Sequence, residues 1–347
     1  MDSFDIIKIF TLTTISFVVT LMWTPAFTHF LFRYKLGKQI RDGGETPIYS
    51  KLHAGKSGTP TMGGVLVWGT TLALAVAFAV LDKTFDGLWG RLSFLSRSQT
   101  LLPLGALVAS ALVGLVDDYY NVRKMGAHGG GLRARHRLAI YTAIALVGAW
   151  WFSQKLQWDL LHVPFVGDLN IGFWYIPIFI FVIVATSFSV NQTDGLDGLA
   201  GGTLLSAFGA YGAIAFSQGK YDLSAFCGVI VGALLAFLWY NINPARFFMG
   251  DTGAMSLGVT LGIVAMLTNQ VLLLPIIGSI FVLEALSTIV QILSKKFRGK
   301  KIFISSPIHH HLEASGWSEP KIVMRFWVVS GVSAVVGLIL ALLDKNF

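Results

Sequence analysis

An all-α, polytopic integral membrane protein with about ten transmembrane helices, both termini on the extracytoplasmic side, is predicted by three observations. Of 347 residues, 54% are hydrophobic and 13% charged, with mean hydropathy +0.67, leaving too little polar surface to enclose a water-soluble core of that apolarity. Apolar runs of spanning length recur near 9–32, 61–81, 99–116, 137–153, 171–190, 198–217, 223–240, 252–268, 271–293 and 322–343. Most of the 26 Lys and Arg residues fall in segments that follow odd-numbered runs, which the positive-inside rule makes cytoplasmic. The chain reads as a single domain over 1–347. Acidic Asp2 and Asp5 precede the first run and no small-residue cleavage site follows it, so this run reads as an uncleaved anchor. The net charge of +8 is mainly topogenic, with attraction to anionic membrane lipids or phosphorylated substrates as a second use. No basic stripe with interleaved aromatics lies outside the membrane, so nucleic acid is not an expected partner. The single Cys227 lies in an apolar run and reads as a core residue.

Taken in order, the first run carries Pro25 and His29, read as a kink and a polar group near its cytoplasmic end. Residues 33–58, with Gly43-Gly44 and Pro47, read as a loop. It leads into Lys56-Ser57-Gly58-Thr59-Pro60-Thr61-Met62-Gly63-Gly64, where a cation, hydroxyls and free backbone N–H groups could grip a phosphate, although the spacing is not that of a Walker A loop. Residues 82–98 carry no assignable chemistry. The third run ends in adjacent acids, Asp117 and Asp118, which repel unless a cation or proton intervenes, and so point to Mg²⁺ or a base with a tuned pKa. After it come Gly129-Gly130-Gly131, a hinge, and Arg133, Arg135 and Arg137, a cluster whose default meaning is orientation. Residues 154–170 suit a short surface hairpin with Gly167 at its turn.

The fifth run delivers Asn191-Gln192-Thr193-Asp194-Gly195-Leu196-Asp197-Gly198. Acids this close to hydrocarbon cost roughly 2.5 to 3.5 kcal/mol each at mid-bilayer, so they normally sit in a polar pocket that uses them. The i, i+3 spacing of Asp194 and Asp197 puts both on one face of a helical turn, with Gly195 and Gly198 leaving room for a ligand; the competing reading is a helix start capped by Thr193 or Asp194. The sixth and seventh runs are rich in Gly and Ala, which allows close helix approach. Asn241 and the glycine-bracketed Asp251 follow the seventh run, and Glu284 lies inside the ninth, where a functional group and a hydrogen-bonded structural carboxyl are both open readings. The last cytoplasmic segment holds Lys295 to Lys301, then His309-His310-His311. Contiguous histidines rarely all ligate one ion, so phosphate or uracil contact is the better reading.

Asp117, Asp118, Asp194, Asp197 and Asp251 all fall at the cytoplasmic edge, where most of the cations also lie. Unit charges about 4 Å apart repel by roughly 4 kcal/mol at an effective dielectric near 20, so their convergence calls for a divalent cation, protons or basic neighbours. Mg²⁺ with a diphosphate substrate meets that need, which points to phosphoryl transfer at the membrane interface. An ion-coupled transporter would instead place acids near the bilayer midplane in inverted repeats, and no repeat is visible.

The stretches NQTDGLDGLA (191–200), FMGDTG (248–253), GTPTMGG (58–64), Asp117-Asp118 and PIHHHLEASGW (307–317) resemble those of the phospho-N-acetylmuramoyl-pentapeptide transferase family across essentially the whole chain. The acidic motifs are shared with the wider superfamily of polyprenyl-phosphate N-acetylhexosamine-1-phosphate transferases; the triple histidine and GTPTMGG narrow the likeness. The resemblance implies ten spans in the bacterial cytoplasmic (inner) membrane, a homodimer, Mg²⁺, and transfer of phospho-MurNAc-pentapeptide from UDP-MurNAc-pentapeptide to undecaprenyl phosphate, giving UMP and lipid I. By position it implies Asp251 as Mg²⁺ ligand, Asp117 and Asp118 at the lipid phosphate with Asp117 as candidate base, and Asn191, Asp194, Asp197 and Asn241 around the nucleotide. Lys56 and Thr61 would lie beside that pocket, and His309, His310 and His311 near the diphosphate or uridine. Two positions depart from the family's pattern: Phe188 stands where Asn is common, and Arg137 where Lys is. Arg keeps the charge but not the point-donor geometry.

Overall fold

The computed structural model describes residues 3–37, 54–84, 88–125 and 131–344. The middle of the first loop, with Gly43-Gly44 and Pro47, and Gly129-Gly130 of the expected hinge lie outside the described residues. Each apolar run becomes a helix: α1 (Ser3–Arg33), α2 (Val65–Thr84), α3 (Leu101–Val122), α4 (Ala134–Lys155), α5 (Tyr175–Thr193), α6 (Leu199–Ser217), α7 (Tyr221–Asn241), α8 (Gly250–Leu267), α9 (Ser279–Arg298) and, after the short α10 (Ile308–Ala314), α11 (Glu319–Asp344). Pro25 is accommodated within α1, which continues to Arg33. Among the described residues, eight helices are long and apolar enough to cross a membrane without a break. A polytopic all-α membrane protein is therefore what the chain forms.

The expected ninth span is where fold and expectation differ. It is not one straight helix: a short turn of helix, Leu274–Ile277, meets α9 at Gly278 with an 83° bend. α9 also differs from the other spans in its side chains. The inward face of α9 carries Glu284, Ser287, Gln291 and Ser294, and its outward face Leu286, Ile292 and Phe297. That inverts the pattern of a water-soluble amphipathic helix, and suits one with lipid outside and polar partners within. α4 is the other departure, a full-length helix that opens on Arg135, His136 and Arg137 and is less apolar than the rest.

The bundle is built around α8, 94% of whose spanning window is buried. It packs on α3 and α5; α7 packs on α1 and α6, α11 on α6, and α4 on α5. Small hydroxyls sit inside, with Thr20 donating to Thr70 at 2.9 Å and Ser16 to the Val229 carbonyl at 2.6 Å, while Phe10, Met22 and Phe181 face outward. Hydrocarbon offers no hydrophobic drive between helices, so small side chains and interhelical hydrogen bonds set the contacts.

At the end of the bundle opposite the aspartates, the expected hairpin forms as β1 (Leu160–Val163) and β2 (Gly167–Asn170), antiparallel, with Leu160 opposite Asn170. Gly167 turns it with φ of +106°. His162 pins it, with Nδ1 2.6 Å from Asp168 and Nε2 on Asp344 at the end of α11. Its backbone N–H donates to Asn269.

Candidate active site

Two buried knots of charge occupy one end of the bundle. The first forms around the N-terminus of α8. Helix starts leave backbone N–H groups without intrahelical partners. Asp118, near the end of α3, accepts two of them, from Asp251 at 3.1 Å and Thr252 at 3.0 Å, and also the Thr61 hydroxyl at 3.2 Å. Asp194 accepts the Gly250 N–H at 3.2 Å. Gly250 has φ of +75°, and a methyl group there would lie 2.5 Å from the Asp118 carboxylate, so this close approach requires glycine.

Asp117 and Asp251 share a cation. The Arg137 guanidinium places Nε 2.6 Å from Asp117 Oδ2 and a terminal nitrogen 2.9 Å from Asp251 Oδ2. Asn191 donates to the other Asp251 oxygen, and the Leu132 N–H to Asp117. Arg137 thus resolves the repulsion anticipated from the acids. It is a site residue that charge-counting along the chain assigned only to orientation.

The second knot centres on Asp197. Lys56 lies 2.7 Å from Asp197 and also pairs with Glu319, while Asn243 donates to both acids at 3.0 and 3.1 Å. Glu319 in turn accepts the Asp197 N–H at 2.7 Å. Sequence reasoning gave neither Glu319 nor Asn243 a role. Neither sits in a distinctive local pattern, and their partners are 122 and 46 positions away.

Several expectations about local geometry are corrected. Several backbone N–H groups of the 58–64 stretch are already taken: Thr61 donates to Leu36, Gly63 to Phe248 and Gly64 to Met249, and Phe248 donates back to Pro60. The Gly63, Gly64 and Phe248 bonds stitch that stretch to the residues just before α8. Asp194 and Asp197 do not share a helical turn, and neither Thr193 nor Asp194 caps a helix start. α5 ends at Thr193, Asp194 is its C-cap, and Gly198, with φ of +81°, is the N-cap of α6. The two acids consequently serve different knots. Gly195 meets the His309 ring rather than open space.

The remaining candidates divide. Asn241 is buried and locks the turn, accepting the Gly198 N–H at 3.0 Å and donating to the Phe247 carbonyl at 2.8 Å. His309 is buried against Glu284, His310 pairs with Glu313 at 2.7 Å, and half-buried His311 accepts the Ile304 N–H. Phe188 offers no polar group where an Asn would, and Arg137 spans two carboxylates that a Lys ammonium would meet at a single point.

For a metal, the donor set is the test. Among the described residues no three His, Cys, Asp or Glu side chains form a cage by themselves. Mg²⁺ does not need one, since it takes one or two carboxylates and fills its shell with phosphate oxygens and water. Asp251 and Asp117 already gather around one cation, Arg137, and that chemistry fits.

Residues 100–269 match the model of glycosyl transferase family 4, and residues 56–66 match phospho-N-acetylmuramoyl-pentapeptide-transferase signature 1. The chain is 41% identical over 98% of its length to the phospho-N-acetylmuramoyl-pentapeptide-transferase of Chloroflexus aggregans, covering 91% of that protein. It is 40% identical to the enzyme of that name from a Geobacillus species, over 93% of this chain and 95% of that one. With the acids, the Arg137 bridge and the 58–64 stitch gathered at the start of α8, and with that likeness running along nearly its whole length, the chain belongs to the phospho-N-acetylmuramoyl-pentapeptide-transferase family.

Proposed function

We propose that this protein makes lipid I, transferring phospho-MurNAc-pentapeptide from UDP-MurNAc-pentapeptide to undecaprenyl phosphate with release of UMP. The observation that carries the reading is the convergence of Asp117, Asp118, Asp194 and Asp251 on one helix start beside Arg137, a charge density suited to a diphosphate and its counter-ion. A lipid phosphate reaches such a site sideways between helices, and a nucleotide reaches it from the cytoplasm. We read ten spans, counting α4 and the bent pair, with both termini outside the cytoplasm of the inner membrane; the asymmetry of Lys and Arg supports this.

In this reading a lipid-phosphate oxygen attacks the sugar-bearing phosphorus, the bond to the bridging oxygen breaks, and UMP leaves with the electron pair. Asp117 and Asp118 serve the lipid phosphate, with Asp117 placed to take any proton it carries. Arg137, already bound through two of its nitrogens, exchanges a carboxylate for a phosphate oxygen as substrate enters. Asn191 orients Asp251, which would hold Mg²⁺; the ion, when bound, supplies charge neutralisation for the diphosphate. Asp194, Asp197, Asn241, Lys56 and Thr61 form the nucleotide side, with His309, His310 and His311 adjoining it. Direct attack is preferred over a phosphoryl-enzyme, because positioning and charge stabilisation are most of what phosphoryl transfer needs.

The test is UMP release by purified protein. It should require UDP-MurNAc-pentapeptide, undecaprenyl phosphate and Mg²⁺ together, and a UDP-N-acetylhexosamine should not substitute. UMP release without the lipid phosphate, or a trapped labelled protein intermediate, would count against direct transfer.

A further inference from the structure

α9 carries a carboxyl that none of these steps uses. Glu284 is wholly buried, its Oε2 lies 2.8 Å from Nδ1 of His309, and that ring is wholly buried too. The remaining polar atom of each group, Glu284 Oε1 and His309 Nε2, has no hydrogen-bond partner among the described residues. A buried ionisable pair is expensive to keep, and it is retained most readily where it holds something in register.

What it holds is visible at Gly195. A methyl group at that position would lie 2.2 Å from His309 Nε2 and 2.8 Å from Cε1, so the ring edge is seated directly on the backbone of the turn between α5 and α6. A carboxylate at Nδ1 keeps the N–H on that nitrogen and fixes the ring's rotation, leaving Nε2 to face the turn. The ends of the turn are tied elsewhere, Asp194 to the Gly250 N–H and the Asp197 N–H to Glu319. Leu196 of the turn and Ile280 of α9 belong to the same small apolar cluster, a second link between the two elements.

We propose that Glu284 is a positioning residue for the nucleotide substrate, acting through His309 to brace the Asp194-Gly195 turn. This rests on the assignment of Asp194 and Asp197 to the nucleotide side made above. The first histidine of the triple is therefore the brace itself, packed behind the pocket wall.

The experiment compares full-length Glu284→Gln, Glu284→Ala, Gly195→Ala and the Glu284→Ala/Gly195→Ala double variant, with Asp194→Asn as reference. KM is measured separately for UDP-MurNAc-pentapeptide and undecaprenyl phosphate, alongside the melting temperature of each protein. Glu284→Ala and Gly195→Ala should each raise the nucleotide-substrate KM about tenfold, the scale of one charge-assisted hydrogen bond, and Glu284→Gln by less. The lipid-phosphate KM should stay put, and the double variant should be no worse than its poorer parent. An unchanged nucleotide KM in a folded Glu284 variant, a loss confined to the lipid-phosphate KM, or multiplying losses in the double variant would overturn the brace. If Glu284→Ala does not fold, the shape-preserving Gln variant decides by the same criteria. If Asp194→Asn shifts only the lipid-phosphate KM, the pocket assignment has failed, and with it the ground of this proposal.

Discussion

Two cations stand where the carboxylates crowd, and each is held by a pair of acids: Arg137 by Asp117 and Asp251, Lys56 by Asp197 and Glu319. Removing one member of a buried ion pair costs roughly 3 to 5 kcal/mol, because the partner is left uncompensated. Arg137→Gln should therefore melt well below the parent protein in metal-free detergent, and added Mg²⁺ should recover part of the loss; a variant as stable as the parent in EDTA would contradict the bridge. Asp251→Asn keeps the shape and the Asn191 contact but removes the charge proposed to hold the ion. Turnover should fall by at least about a hundredfold, with folding intact by melting and size exclusion. Near-normal UMP release by that variant would rule out the metal assignment.

At the scale of elements, the start of α8 is where local conformation and chemistry coincide. Its N–H groups go to Asp118 and Asp194, and Gly250 supplies a left-handed φ that brings both acids against the backbone. Gly250→Ala adds strain of about 1 to 3 kcal/mol and pushes a methyl group into the Asp118 carboxylate. The expected outcome is a folded but less thermostable protein with greatly reduced transfer, read by melting and UMP release. α9 shows the complementary principle: its polar face is buried and its apolar face exposed, so its stability depends on lipid or detergent outside and on Glu284 and Gln291 finding partners within. Gln291 does so by accepting the N–H groups of Ile302 and Phe303, both at 3.0 Å.

For the whole molecule, the end away from the site is fastened by His162 between Asp168 and Asp344, with Asn269 on its backbone. Partial burial works against the charged ring, but the two carboxylates outweigh it and raise its pKa above the ordinary 6.5. A raised histidine pKa gives stability that is fully present below about 6.5 and is lost as pH rises through the folded value. Melting temperature should accordingly fall as pH rises above about 6.5, and His162→Gln should flatten that slope; partial exposure of the site to solvent keeps the effect small. Lys220, pulled down to about 8 by burial, acts in the opposite sense above that pH, so the measurement belongs below it.

Composition and the length of the apolar runs determined the membrane class and the approximate position of the long helices, the broken ninth run excepted, because a bilayer demands about twenty apolar residues per crossing wherever they occur in the chain. The acids, the family likeness and the hairpin were legible for a similar reason: each is carried by a short contiguous stretch. Only the tertiary structure decided that Arg137 bridges Asp117 to Asp251, that Glu319 and Asn243 close on Asp197, and that Glu284 reaches Gly195 through His309. It also decided the break at Gly278, where an apolar run long enough to span bends by 83°. Each of these joins residues far apart in the chain, and which cation neutralises which acid depends on how the helices pack.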